Sequence, residues 1–284
     1  MILRYVDARI LPGYAAVERG RLHGYSFFVY EGGKGVIGDL FVASESVNGS
    51  GHQVENRLVT HVVETLQQSP GVRRVEAQLL VHQTGSVAAP FTAQGFRQFP
   101  RLFMTLPLRS STENNAKALR SAEVLSPAPF EMRPWSEQDY QAAASLITTC
   151  YRGHVDSEIN DQYRTTQGAL RFLNNIVRFP GCGFFDAPAS FVALEKKTRA
   201  MVGLILCSRV RGDVGHITQV CVLPEFRGVH LGWALMEASA GSLRKRNFSL
   251  LSLTVTQANH NAVELYKRLG FGIDRVFDAF VWTA

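Results

Sequence analysis

Apolar residues along the second half of the chain fall into short runs of strand length and longer stretches of helical spacing. "SFVALE", "MVGLILCSRV" and "VGHITQVCV" are compact apolar runs, divided by "KKTR" and "RGD". Such runs between charged turns predict an antiparallel meander. Before them stand a short strand, "FEMRPW", and two helices, "SEQDYQAAASLITTCY" and "ALRFLNNIVRF". The first helix carries a start signal, Ser136 followed by Asp139. After the meander, Leu231, Ala234, Leu235 and Ala238 mark one face of a helix over residues 231–246. A strand "LLSLTVT", a helix "NAVELYKRLG" and a strand "RVFDAFVWT" close the chain. This order predicts an α/β fold, a mixed, mostly antiparallel sheet with helices on both faces.

The first half repeats part of that order. "AAVERG", "LHGYSFFVYE" and "GVIGDLFV" read as a three-strand meander with "GGK" at a turn. "ENRLVTHVVETLQQ" reads as a helix with Leu58, Val62, Val63 and Leu66 on one face, and "VRRVEAQLLV" as a strand. "APFTAQGF" ends a short helix and "RLFMTLPL" is a closing strand. "VIGDLFV" aligns with "HITQVCV", and "FTAQGF" with "YKRLGF", an internal repeat. The first copy has no room for the opening strand and two helices. Between the copies, residues 107–135 are rich in Ser, Asn, Ala and Pro, with a possible short helix in the middle. The reading is therefore a degenerate unit over residues 1–108, a linker over 109–129, and a full unit over 130–284.

Composition narrows the function classes. The 284 residues are 46% hydrophobic and 19% charged, a globular balance, with a net charge of +6. That charge suits an anionic ligand. No Lys/Arg stripe interleaved with aromatics argues for nucleic acid. No apolar run reaches the roughly 20 residues of a membrane helix, and charge within "MILRYVDARILPG" argues against a signal peptide. Cys150, Cys182, Cys207 and Cys221 fit neither a zinc site nor a disulfide framework, so reduced thiols in a cytoplasmic protein and no metal are expected.

Two segments carry chemistry. "PEFRGVHLGWALM" (residues 224–236) runs from a loop into a helix, with Gly228 and Gly232 near its entrance. Free N–H groups and the positive end of a helix dipole bind phosphate there, and glycine lets backbone come close. His230 stands where another glycine would suit; if it is already helical, its N–H still donates. The bland alternative is an ordinary helix start. The second segment is "NHNAVELYKRLGF" (residues 259–271). Together, in this order and about thirty residues apart, the two resemble the GNAT superfamily of acetyl-CoA-dependent N-acetyltransferases. The resemblance covers roughly residues 130–284, and the whole chain is similar to tandem GNAT proteins.

The resemblance implies acetyl-CoA as cofactor and, as acceptor, an amine on a small molecule, protein or peptide. It puts the pyrophosphate on Arg227, Gly228, Val229, His230, Leu231, Gly232, Trp233 and Ala234. The pantetheine arm would lie along Val220, Cys221 and Val222, with the Val222 N–H at the acyl oxygen. Tyr266 would protonate the departing thiolate; Ala262, Leu265 and Leu269 form an apolar face beside it, and a packed boundary tyrosine is the alternative. Ala262 and Asn259 would meet the arm, though Asn is also a common helix cap. His216 matches the position of one family base, and imidazole has a suitable pKa; a strand histidine held by hydrogen bonds is equally open. The other base position is Thr254, which cannot serve. Gln219 would orient substrate or water. Asp156, Glu158 and Asp161 would draw a cationic amine or form a solvated loop. In the first half, no glycine is expected at the helix start, Glu55 would repel phosphate there, and Phe91 takes the Tyr266 position, so that half is expected to bind no CoA catalytically. A non-catalytic CoA-binding, regulatory or scaffold module and a different acyl donor both stay open.

Overall fold

The computed structural model describes residues 11–43, 51–109, 129–179 and 183–284. Residues 110–128 of the expected linker, with its possible short helix, Cys182 and residues 1–10 lie outside them. The chain divides into two compact units: Met1–Leu102 with Arg275–Ala284, and Phe103–Asp274.

In the first unit, β1 (Gly13–Glu18), β2 (Arg21–Glu31) and β3 (Lys34–Val42) form the expected meander. Helix α1 (Gly51–Gln68) crosses to β4 (Arg74–Gln78), which runs parallel to β3. Leu58, Val62, Val63 and Leu66 are all buried, against Phe28, Ile37, Leu40 and Val75. The helix starts at Gly51, four residues before the sequence reading. Glu55 therefore sits in the second turn, hydrogen-bonded to His52, and a glycine does open the helix. Helix α2 (Ala88–Ala93) leads to β5 (Arg97–Pro107).

The second unit takes β5 from Phe103 onward. Then come β6 (Phe130–Pro134), α3 (Tyr140–Cys150), α4 (Asp156–Ile159) and α5 (Thr166–Val177). Strands β7 (Phe184–Phe185), β8 (Phe191–Glu195), β9 (Met201–Arg211) and β10 (Val214–Val222) follow, then α6 (Leu231–Lys245), β11 (Leu250–Thr256) and α7 (His260–Arg268). The sheet order is β5-β11-β10-β9-β8-β6. Ser136 and Asp139 form the capping box read from the sequence, and Asp139 also holds Arg133 through two hydrogen bonds. Leu204 packs with α3 residues Ala143 and Ile147, while a Cβ at Gly203 would meet Leu235 of α6. Adjacent strand residues point to opposite faces, so helices cover this sheet on both.

The last strand, β12 (Gly272–Thr283), belongs to the first unit from Arg275 on. Its residues Ala279–Thr283 pair antiparallel with Gln78–Arg74, giving the order β1-β2-β3-β4-β12. Phe280 stacks on Phe91 with ring centres 4.1 Å apart and planes 7° off parallel. The sequence reading put "RVFDAFVWT" at the end of the second unit and "RLFMTLPL" at the end of the first. The two are apolar strands of similar pattern, and alternation names no neighbour.

The repeat is geometric as well as textual. Val36 of β3 lies opposite Glu76 of β4, and His216 of β10 opposite Ser252 of β11, in matching parallel registers. Phe96 N–H donates to Phe91 carbonyl at 3.1 Å, and Phe271 N–H to Tyr266 carbonyl at 2.9 Å. Both turns pass through a glycine of positive φ, Gly95 and Gly270, as this helix ending requires.

Candidate active site

The site begins where two strands part. The parallel ladder between β10 and β11 covers Val214–Ile217 and Leu250–Leu253. On the other side, β10 stays paired with β9 up to Val222, and Leu223 N–H donates to Val202 carbonyl at 2.9 Å. In an antiparallel pair, bonded and non-bonded positions alternate. That bond fixes the phase: Leu223 and Cys221 face β9, whereas Val222 and Val220 turn their backbone groups toward β11. The carbonyls agree with this. Arg227 Nε donates to Val222 O at 3.1 Å, and the Tyr151 hydroxyl makes a long 3.5 Å contact to Val220 O. Two backbone N–H groups, on Val220 and Val222, thus line the opening between the strands.

The loop after β10 turns sharply. Gly228 has φ +79°, with nothing within 4 Å of where a Cβ would lie. The sequence reading allowed His230 to be already helical, and it is not. It caps α6 from the left-handed region at φ 62°. Histidine is among the residues that tolerate that region, at a cost glycine avoids. The first helical bond is donated by Ala234 to His230 carbonyl at 3.0 Å. The N–H groups of Leu231, Gly232 and Trp233 therefore precede the helical ladder, and no acid occupies the first turn. Residues 227–230, including Val229, are exposed. Arg227 also reaches back to Cys150 carbonyl at 3.3 Å, and Arg268 covers the Trp233 ring. A Cβ at Gly232 would meet Leu265 at 3.5 Å, an ordinary contact, so packing alone does not demand glycine there.

Helix α7 buries Val263 and Tyr266, with Ala262 and Leu265 half-buried. Val263 was not in the expected apolar face, and Tyr266 lies inside rather than at its edge. Burial, then the charge of Asp156, then Cys221, push the Tyr266 phenol well above its ordinary range. Tyr151 is raised in the same way, burial first. Asn259 caps α7, its side chain accepting from Ala262 N–H at 3.3 Å.

His216 stands at the paired end of the strands. Its Nδ1 lies 2.9 Å from Ser252 Oγ, and Ser252 donates its own proton to Gly215 carbonyl. Nδ1 is then the donor, and the ring's lone pair sits on Nε2. Four residues separate His216 from Val220, roughly 13 Å along a strand. Gln219 is buried and its Nε2 has no hydrogen-bond partner. Glu158 lies 3.6 Å from Arg164, and Asp161 begins a 3-10 turn. Asp156 differs from both, because Thr256 of β11 donates a short hydrogen bond to its Oδ1. Cys221 donates a hydrogen bond to Cys150, and this, with burial, holds its thiol well above the ordinary range, so it stays a thiol.

Tyr151 and Thr256 were not singled out in the sequence, and Cys150 was read only as one of four reduced thiols. The aromatic pair Tyr151 and Tyr163, bracketing the acidic run, was the available signal; their rings stack at 4.4 Å. No group of three or more His, Cys, Asp or Glu among the described residues is arranged to hold a metal.

Residues 146–271 match the acetyltransferase (GNAT) family. That match to the GNAT family lies wholly within the second unit. Among proteins of similar sequence, an uncharacterized N-acetyltransferase of Methanocaldococcus jannaschii is 39% identical over 147 residues. That match spans 50% of this chain and 60% of the relative, less than two thirds of its length. Among solved structures, a GCN5-related N-acetyltransferase from Sphaerobacter thermophilus shares the fold at TM-score 0.66 and 15% identity, over 93% of this chain and 78% of that one. A tandem GNAT protein from the clavulanic acid biosynthesis pathway does so at TM-score 0.63 and 14% identity, over 96% and 82%. The fold is thus that of the GNAT acyltransferases, including a tandem form. No described helix is long and apolar enough to cross a membrane.

Proposed function

We propose that the second unit transfers an acetyl group from acetyl-CoA to an amine by direct attack. The observation that carries this is the parted β10–β11 edge, with two inward N–H groups and a buried phenol near Cys221. The residues present suit the cofactor: a left-handed Gly228 leaves room at the turn, and the α6 start offers unpaired donors for a pyrophosphate. Acetyl-CoA supplies the acyl group as a thioester.

In this reading the Val220 and Val222 N–H groups hold the arm and the thioester oxygen, where negative charge grows as nitrogen attacks. Tyr266 keeps its proton until sulfur leaves and then gives it up. The nitrogen forms its bond to the carbonyl carbon as the carbon–sulfur bond breaks. An alkylammonium sheds two protons overall. One is released, and the other restores Tyr266. In this reading His216 takes a proton through intervening water. Gln219 orients the acceptor or that water. The first unit has Phe91 in place of Tyr266 and supplies no such acid.

The test is Tyr266→Phe, with acetyl transfer measured at saturating substrates and CoA binding by calorimetry. Turnover should fall by about 10²-fold or more while CoA affinity holds. Full turnover by the variant sinks the role of Tyr266. No CoA binding by the wild-type protein sinks the whole reading.

A further inference from the structure

Asp156 is the first residue of α4, and its side chain is only 15% exposed. The buried aspartates of the second unit have a built-in cation: Asp139 has Arg133, and Asp186 has Arg246 through two hydrogen bonds. No Lys or Arg pairs with Asp156 among the described residues. Thr256 occupies Oδ1. His154 does not serve Oδ2 well. Its Nδ1 accepts the backbone N–H of Asp156 at 3.2 Å, so in that tautomer it brings no proton to Oδ2, 3.4 Å away. A carboxylate this enclosed, with one hydroxyl donor, is costly unless a cation meets it.

Its surroundings describe that cation. The charge of Asp156 is felt by both Tyr266 and Tyr151. Tyr151 touches Val220 carbonyl on the parted edge, stacks on Tyr163, and meets His154 edge-on at 5.3 Å. Tyr163 in turn meets Phe172 edge-on at 4.9 Å. Aromatic faces beside a carboxylate favour an organic cation over a strongly hydrated inorganic one.

We propose that Asp156 is the specificity-determining anchor for the acceptor. It ion-pairs with the ammonium form of an alkylamine, which the Tyr151–Tyr163 wall flanks beside Tyr266 and the Val220–Val222 edge. A neutral acceptor, such as an arylamine or an alcohol, leaves the carboxylate uncompensated and is selected against. This rests on the acetyltransferase reading above and narrows it to acceptors charged at neutral pH.

The experiment compares wild type, Asp156→Asn and Asp156→Glu. Each is titrated calorimetrically with CoA, then with a panel of alkylamines and arylamines of matched size in the presence of CoA; steady-state acetyl transfer is measured alongside. Wild type should bind and acetylate alkylamines in preference to arylamines. Asp156→Asn should raise KM and Kd for alkylamines about 30-fold or more, the usual scale for truncating one partner of an enclosed charge pair. CoA affinity should stay within twofold, which also certifies the variant's fold, and Asp156→Glu should recover part of the loss. Alkylamine Kd and KM unchanged in Asp156→Asn overturn the anchor while leaving the acetyltransferase intact. A wild-type preference for neutral arylamines overturns it without reference to any variant. Absence of both CoA binding and transfer in wild type overturns the reading beneath it, and the anchor with it.

Discussion

Tyr266 is useful as an acid because it is hard to ionise. Burial is the main cause, and Asp156 and Cys221 add to it. The raised phenol holds its proton at any pH where an isolated tyrosine would, so catalysis should show no alkaline loss from Tyr266 below about pH 10. The linkage runs the same way. A group whose folded pKa is raised contributes stability below its unfolded value and loses it as pH climbs toward the folded one. In the Tyr266→Phe experiment, urea titrations across alkaline pH should therefore show wild type losing stability above about pH 10 more steeply than the variant. His230 offers the opposite case, a residue in a conformation it does not favour. Its exposed side chain makes His230→Gly a clean probe. Relief of the left-handed strain should raise stability by about 0.5–1 kcal/mol, read as a higher unfolding midpoint, with CoA binding retained. A lower midpoint would mean the imidazole does more than its φ angle suggests.

Helix α7 shows how one element serves fold and site together. Asn259 has a capping contact through its carbonyl oxygen, leaving its amide hydrogens for the proposed arm. The two jobs separate chemically. Asn259→Asp keeps a capping acceptor but removes the donor, so stability should hold while CoA affinity falls. Asn259→Ala should lose about 1 kcal/mol of stability as well. Equal CoA affinity in all three proteins would make Asn259 a cap alone. The element-level reading from sequence was strongest where one rhythm ran long enough. α6 was read over 231–246 and spans Leu231–Lys245; the Ser136 capping box was legible because its side chains act within a few residues. What escaped was short or distant. α4 is four residues long, too brief for helical periodicity. The Thr256–Asp156 contact joins positions a hundred residues apart. His230 could be seen as an anomaly in a glycine position, but its left-handed backbone could not be read from its identity.

At the scale of the molecule, the repeat was legible because two copies stand in one chain for comparison. Phe91 against Tyr266 is a single missing hydroxyl at equivalent helix ends. Which strand completes which unit was not legible, because both closing strands carry apolar faces and pairing depends on partners far along the chain. The first unit shows the outcome: β4, with Val75 and Ala77 buried, is covered along its edge by Ala279–Thr283.

That pairing has a consequence for biogenesis. The first hundred residues emerge early during synthesis, yet their sheet stays open on one side until residues 275–284 have been made. Throughout that interval Arg74–Gln78 presents an unpaired backbone edge, with Val75 and Ala77 still to be covered, the kind of strand that templates aggregation. Closing it demands a contact between positions some two hundred residues apart, a slow step in folding. A fragment ending at residue 109 should accordingly be poorly soluble and bind a hydrophobic dye, and adding the remainder of the chain in trans should suppress both. A soluble, cooperatively unfolding 1–109 fragment would show that the strand is dispensable. For this protein the ribosome's schedule, rather than the native contacts alone, sets when the first half becomes safe from its neighbours.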